Sequence, residues 1–120
     1  MIDTRKYKTL WFYLLIGSLS ILPTPGHASP GLTGTDLLEL CVSRLTIPET
    51  QCLAFISGVT AGHALSVGAG KTFYCFPENA DIARAKRIIV KYLKKNASSL
   101  DKDAAELIFR ALADAWPCGN

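Results

Sequence analysis

Residues 51–70, QCLAFISGVTAGHALSVGAG, decide the fold, because they read as one long helix without a single Asp, Glu, Lys or Arg. At about 100° per residue, one face collects mainly apolar side chains and the opposite face collects small ones. The apolar face consists of Cys52, Phe55, Ile56, Val59 and His63, and the small face of Ala54, Ser57, Ala61 and Ala64. A helix without a charged face is usually buried. The stretch therefore predicts the central helix of a small all-α domain.

Two features of this helix bear on what lies against it. Gly58 and Gly62 are four residues apart on one flank, where they would allow another backbone to approach closely. The length of the helix would also suit a membrane span. Its polar side chains, among them Gln51, Thr60 and His63, favour the globular alternative.

The first 28 residues have the features of a secretory signal peptide. A basic start precedes the apolar run 10–22, LWFYLLIGSLSIL, and two prolines follow it. Gly26 and Ala28 place small residues at the positions that signal peptidase reads, so we expect cleavage after Ala28. The alternative is an uncleaved anchor, for which thirteen apolar residues are short.

Removal of the signal leaves one predicted domain, residues 29–120, which is almost neutral. Three of the 13 basic residues and one of the 10 acidic residues lie in the signal, so the remainder carries ten positive against nine negative charges. A strongly basic mature protein is thereby excluded, and export argues against a nucleic-acid partner. A domain this short has a modest core and often needs disulfides.

Capping signals and apolar periodicity predict four helices in this domain. Their expected positions are about 34–44, 46–67, 82–95 and from 98–101 to Trp116. Thr33 with Asp36 and Thr46 with Glu49 resemble capping boxes, and Asp81 is placed to cap the third helix. The connections are short, so neighbouring helices should be antiparallel. The predicted fold is an all-α, compact bundle of about four helices stapled by two disulfides.

Four cysteines allow three pairings. Cys41 ends one helix and Cys52 begins the next, while Cys75 precedes the third helix and Cys118 follows the fourth. Antiparallel packing brings each of these pairs within bonding reach, which predicts Cys41–Cys52 and Cys75–Cys118. A zinc site is the alternative, but the sequence lacks a short Cys-x-x-Cys pair.

Catalytic chemistry finds little support in the sequence. His63 is the one histidine after the predicted cleavage site, and no second catalytic group is placed beside it. A histidine on an apolar face is most simply a hydrogen-bonded core residue. The pattern requires no cofactor and no metal, and the protein is predicted not to be an enzyme.

Several segments in this frame resemble one known family. They are Leu37-Leu38-Glu39-Leu40-Cys41, Cys52 with Phe55-Ile56-x-Gly58, Cys75-Phe-Pro-Glu78, Val90-Lys-Tyr-Leu93 and a Trp116-Pro-Cys118 ending. Together they resemble the Rap/Tai family of type VI secretion immunity proteins over nearly the whole chain from Gly34 to Cys118. Two features depart from the family pattern, namely Ala61 in place of a frequent acidic residue and a longer loop before Cys75.

The resemblance implies a periplasmic, all-helical protein, often a homodimer, that binds and blocks a toxin cleaving peptidoglycan peptides. It also implies a loop that plugs the toxin's active-site groove. Residues 69–74 meet that requirement best, because they leave the central helix, are held at Cys75 and present Lys71, Phe73 and Tyr74. The alternative for the two aromatic residues is that they cover the core.

A basic stripe on the third helix is the second candidate contact surface. It contains Arg84, Arg87 and Lys91. It would act by electrostatic steering toward an acidic partner, and its simpler interpretation is a solvated helix face. The small face of the central helix, or a surface adjacent to it, is the predicted dimer surface, because four short helices leave this face without full cover.

A periplasmic helical chaperone of the acid-stress Hde type is the alternative function. Export, small size, helices and disulfides fit it equally. It would require apolar surface that becomes exposed when a dimer dissociates at low pH. Two disulfides, each closing a helical hairpin, instead favour a rigid binding protein. An enzyme ranks third.

Overall fold

A computed structural model describes residues 31–119, and these residues form a bundle of four α-helices. The helices are α1 (Gly34–Val42), α2 (Thr46–Gly68), α3 (Ile82–Lys95) and α4 (Ala104–Ala115), with a 3-10 turn at Ala97–Ser99. No strand occurs among the described residues, apart from one isolated bridge. The predicted all-α fold is thereby confirmed. The predicted signal peptide, residues 1–28, lies outside the described residues.

α1 begins with the predicted capping box and is tied to the start of α4. The Thr33 hydroxyl accepts from the Asp36 backbone N–H, and the Asp36 carboxylate accepts from the Thr33 backbone N–H at 2.9 Å. The Thr33 hydroxyl also donates to the Asp36 carboxylate, and this hydrogen bond, together with that from the Thr33 backbone N–H, lowers the pKa of Asp36. An isolated bridge joins Thr33 to Asp103, and the Ala104 N–H donates to the carbonyl oxygen of Leu32. The start of α1 is thus held beside the start of α4.

Gly34 stands where α1 crosses the turn before α4. A Cβ atom at this position would collide with the Leu107 side chain and lie 3.0 Å from the carbonyl oxygen of Leu100. Glycine is therefore required here by close approach rather than by backbone conformation.

α1 and α2 form a hairpin with a three-residue link. The predicted capping box at Thr46 is wrong, because Thr46 is the first residue of the helix and Leu45 is the N-cap, without a side-chain cap. The Thr46 carbonyl oxygen instead accepts from the Thr50 hydroxyl one turn later, at 2.7 Å. Pro48 lies in the first turn, where its missing N–H has no helical acceptor to lose.

The end of α2 is a Schellman motif centred on Gly70. Gly70 has a φ of +83°, which favours glycine. The N–H of Lys71 donates to the Ser66 carbonyl oxygen and the N–H of Gly70 to that of Val67, each at 2.9 Å. Gly70 therefore ends α2 with the full hydrogen-bond pattern of this motif.

α3 has the predicted bounds, and α4 begins later than expected. Asp81 caps α3 by accepting from the Arg84 N–H at 2.7 Å, and Asn96 ends it. The candidates for the start of α4 lay between residues 98 and 101. The chain instead makes a 3-10 turn there, and Asp103 is the N-cap of α4.

The core lies where the four helices meet, and each helix contributes apolar side chains to it. The fully buried large side chains are Leu37, Cys52, Ile56, Tyr74, Ile89, Leu93, Leu107, Ile108 and Leu112. Tyr74 is the one member of this set that comes from a loop, so the segment between α2 and α3 belongs partly to the core.

Both predicted disulfides are present. Cys41–Cys52 joins α1 to α2 with Cα atoms 5.1 Å apart, and Cys75–Cys118 joins the loop before α3 to the segment after α4 at 4.9 Å. All four sulfurs are therefore bonded in pairs, which leaves no thiolate for the zinc site considered as the alternative.

Among residues 31–119, no helix combines the length and the apolarity needed to cross a bilayer.

Candidate functional site

Residues 69–76, here called the anchored loop, connect α2 to α3 and are fixed at both ends. At the start, Gly70 closes the Schellman motif described above. At the other end, Cys75 is bonded to Cys118, and its N–H donates to the carbonyl oxygen of Trp116 at 2.9 Å. A loop held in this way presents its middle residues from a rigid base.

His63 holds the middle of the anchored loop. Its side chain is 5% exposed, and its Nε2 accepts a hydrogen bond from the backbone N–H of Phe73 at 3.1 Å. Nε2 can accept only in the neutral imidazole that carries its proton on Nδ1. Burial lowers the pKa of His63 below its ordinary value, which favours this neutral form. The predicted hydrogen-bonded core histidine therefore has a defined partner in the loop.

Tyr74 supports the anchored loop from inside. Its ring stacks on the His63 imidazole, with 3.8 Å between centroids and 15° between planes, and its side chain is 1% exposed. Its hydroxyl is buried without a hydrogen-bond partner among the described residues, and burial raises the pKa of this phenol. In this conformation Tyr74 covers the core and does not offer its ring to a partner.

Phe73 and Lys71 are the loop side chains that face solvent. The Phe73 side chain is 57% exposed, although its ring also contacts the ring of Phe109 on α4 at 5.3 Å between centroids. The Lys71 side chain is exposed, and it takes part in neither of the two ion pairs found in residues 31–119. The loop thus offers one supported aromatic ring and one cation.

The residues of the basic stripe lie in two different environments. The guanidinium of Arg84 lies 5.9 Å from the centre of the Trp116 ring, and that ring also contacts Phe76, 4.7 Å away between centroids. Since the Trp116 carbonyl anchors Cys75, Arg84 adjoins the far end of the anchored loop. The structure therefore connects this one residue of the stripe to the loop.

Arg87 and Lys91 lie elsewhere, in a groove of about 510 Å³ between α1 and α3. The groove is lined by Cys41, Val42, Lys86, Arg87, Val90, Lys91 and Lys94. The ammonium of Lys86 pairs with Glu49 at 3.0 Å, whereas the other three cations have no ion pair within the described residues. This groove is a second, cationic surface.

The small face of α2 is open. Its four residues are exposed, and a Cβ built at Gly58 or Gly62 would meet no atom of residues 31–119 within 4 Å beyond its own helix. Beside this face a cavity of about 380 Å³ is bounded by Thr60, Phe76 and Ile82, and by the buried rings of His63 and Tyr74. The expectation that an uncharged helix is buried is therefore wrong for the second half of α2.

Sequence reasoning missed three residues of this region. Leu65 and Val67 are 79% and 43% exposed at the end of α2, although their apolarity gave no sign of it. Phe109 of α4 is half-buried and supports Phe73, and no signal in the sequence paired these two residues. A further groove of about 630 Å³ lies between α1 and α2, with Asp36 and Glu39 at its edge, and no sequence motif indicated it.

The remaining chemistry of the described residues is limited. No group of three or more His, Cys, Asp or Glu side chains within residues 31–119 is arranged to hold a metal ion. His63 has aromatic rings around it and a backbone N–H on Nε2. The arrangement can bind a partner through the loop, the cationic groove or the open face of α2.

Comparison with protein families identified a match for this chain. The family model described as Rap1a immunity proteins matches residues 33–118, which is nearly all of the described chain and includes every helix and all four cysteines. A search among curated proteins found no match. The chain therefore belongs to the Rap1a immunity protein family.

Proposed function

We propose that this protein is a periplasmic immunity protein that binds and inhibits a peptidoglycan amidase delivered by type VI secretion, and thereby protects the producing cell and its kin. Family membership supports the immunity role. The predicted signal peptide and the two disulfides support export to an oxidising compartment. In this proposal the protein acts by stoichiometric binding and has no hydrolytic activity of its own.

The observation that carries the proposal is the anchored loop with its exposed ring. Aromatic residues held in place lose little side-chain entropy on binding, and they are frequent hot spots in protein interfaces. Phe73 is such a residue, because Phe109 supports its ring and His63 holds its backbone. Lys71 stands beside it as the cation. We assign these two side chains as direct toxin contacts, with Tyr74 as their internal support.

The cationic residues of α3 supply long-range attraction in the same proposal. Arg84 adjoins the loop and would extend its contact surface. Arg87 and Lys91 stand in the separate groove, so they would act mainly on the rate of encounter with an acidic toxin surface.

The test is inhibition of the cognate amidase toxin, sought first among the products of the neighbouring genes and measured as release of peptide from purified peptidoglycan. The parent protein should inhibit at a one-to-one ratio of protomer to toxin. Phe73→Ala should weaken binding by about 30-fold, as expected for a hot-spot aromatic residue. Ile47→Ala is the matched control, because Ile47 is 72% exposed at the opposite end of α2 and should bind like the parent. The loop assignment would be refuted if both variants lost affinity equally, or if neither variant lost affinity.

We also propose a homodimer through the open face of α2. Residues 51–70 carry no charge, so two copies related by a twofold axis would meet without repulsion. The exposed small residues and the unobstructed Gly58 and Gly62 allow close approach of two helices, and Leu65 would gain cover.

Sedimentation at micromolar concentration tests the dimer. The parent should sediment as a dimer, and Ala61→Arg, which places a charge in the centre of the face, as a folded monomer. A parent that stays monomeric at these concentrations would contradict the proposal. Dissociation below pH 5 together with prevention of client aggregation would favour the chaperone alternative instead.

A further inference from the structure

We propose that His63 is a positioning residue for the anchored loop, and that protonation of its Nε2 releases Phe73 and weakens toxin binding in acid. The inference rests on the proposed function only where it concerns the toxin. Its structural part concerns a single hydrogen bond, from the Phe73 backbone N–H to the His63 imidazole.

This hydrogen bond can form only while the His63 imidazole is neutral. Nε2 is the acceptor, and a protonated Nε2 becomes a donor that faces the donor N–H of Phe73. Two donors cannot share a hydrogen bond, so the imidazolium must turn away or the loop must move. Residues 71–74 are otherwise joined to the bundle by the Lys71 N–H, by the stack of Tyr74 on His63 and by the contact of Phe73 with Phe109. A change at His63 therefore acts directly on the presentation of Phe73.

Little in the surroundings of His63 would stabilise a positive charge. The rings packed on it belong to Phe73, Tyr74 and Phe109, of which only the phenol titrates, and α3 contributes Ile82 to the cavity beside it. α2 itself has no charged residue between positions 51 and 70. The charged residues of the loop and of α4 are Lys71, Glu106, Arg110 and Asp114, of which Glu106 and Arg110 pair with each other. Burial is the one cause of the pKa shift at His63.

The lowered pKa of His63 determines how the stability of the loop depends on pH. The pKa of His63 is lower in the folded protein than in the unfolded chain, where it is about 6.5. Below pH 6.5 the unfolded or released state binds more protons, so the closed loop loses stability as the pH falls toward the folded pKa. Above pH 6.5 the stabilisation is fully present. An exported protein meets such acid directly, because the periplasm is open to small solutes.

The first test needs no toxin. Amide hydrogen exchange, expressed as protection relative to the free peptide, is measured by NMR on the purified, disulfide-bonded protein at pH 7.5 and pH 5.0. The Phe73 amide should lose protection about fivefold or more at the lower pH, as expected for one hydrogen bond. The Gly70 amide, which donates to the Val67 carbonyl, is the internal control and should not change. Unchanged protection of Phe73 would overturn the proposal.

Two variants separate titration from packing. His63→Gln keeps an acceptor near the position of Nε2 that does not titrate, so its Phe73 protection should be independent of pH. His63→Phe keeps the stacked ring but removes the acceptor, so protection should be low at both pH values. A His63→Gln variant that still loses protection in acid would overturn the role of the imidazole.

The second test uses the cognate amidase toxin identified by the inhibition assay described above. Affinity for the parent should fall about fivefold between pH 7.5 and pH 5.0, beyond any change seen for His63→Gln, which corrects for titration of the toxin itself. If Phe73 loses protection but the parent and His63→Gln bind alike at both pH values, the link to binding is overturned. That result would locate the failure in the loop assignment of the proposed function rather than in the hydrogen bond.

Discussion

The two halves of α2 differ in how far the other helices bury their apolar side chains. In the first half, Cys52 and Ile56 are completely buried, and Glu49 pairs with Lys86 of α3. In the second half, His63 is the one buried residue, while Leu65 is 79% exposed. The core side of the first half is thus explained by the fold of one chain, although Ile47 at its start is 72% exposed. The second half carries apolar and glycine residues that this fold does not require, which is the pattern expected of a surface that contacts a partner.

The largest expected effect is a loss of stability on truncating a side chain in the first half of α2 but not in the second. Ile56→Ala should lower the free energy of unfolding by about 4 kcal/mol, because it removes a fully buried side chain and leaves a cavity. Leu65→Ala is the matched variant in the second half, and it should change stability by less than about 0.5 kcal/mol. Urea denaturation of both variants gives the comparison. Equal losses would show that the second half is also core.

Removal of the Cys41–Cys52 disulfide, which lies in the first half, should have the next largest effect on stability. Replacing Cys41 and Cys52 together by Ala should cost about 3 kcal/mol, since the bond restricts a short loop of the unfolded chain. The binding surface at the other end of α2 should be unaffected in the molecules that remain folded. Thermal unfolding measures the first expectation and toxin titration the second. A variant that unfolds normally but no longer binds would contradict the separation of the two halves.

The smallest expected effect is a gain in stability. Gly62→Ala should stabilise the protein by about 1 kcal/mol, because alanine is the better helix former and a Cβ there meets nothing within the described chain. Chemical denaturation at submicromolar concentration measures it in the monomer. A loss of stability would contradict the open surroundings of Gly62 and would show that another surface packs against it.

Local signals in the sequence predicted much of the fold. Asp81 and Asn96 set both ends of α3, and the hairpin layout predicted both disulfides. The Thr46 capping box failed because a side chain can cap only where the backbone leaves it outside the first turn, and here that position belongs to Leu45. Several Ser and Asp residues competed for the start of α4, and the sequence does not say which turn tertiary contacts select.

The candidate site was predictable in position but not in detail. The loop before Cys75 was recognised from its ends, since glycine stops a helix and a disulfide anchors a chain. Burial of Tyr74 beside exposed Phe73 depends on which side of the loop faces His63, and adjacent aromatic residues carry no signal for that choice. Helical periodicity likewise groups residues on a face, but it does not tell whether a neighbouring helix is long enough to cover it.

The central claim is that the second half of α2 and the anchored loop form the partner surface. Hydrogen–deuterium exchange of the protein, alone and with its cognate amidase toxin, tests it most directly. The toxin should add protection in residues 69–74, including the Phe73 amide, and leave residues 46–56 unchanged, whereas residues 61–68 should already be protected by the dimer in the protein alone. Toxin-induced protection confined to residues 46–56, or to the cationic groove at Val42 and Lys91, with none in residues 69–74, would contradict the claim.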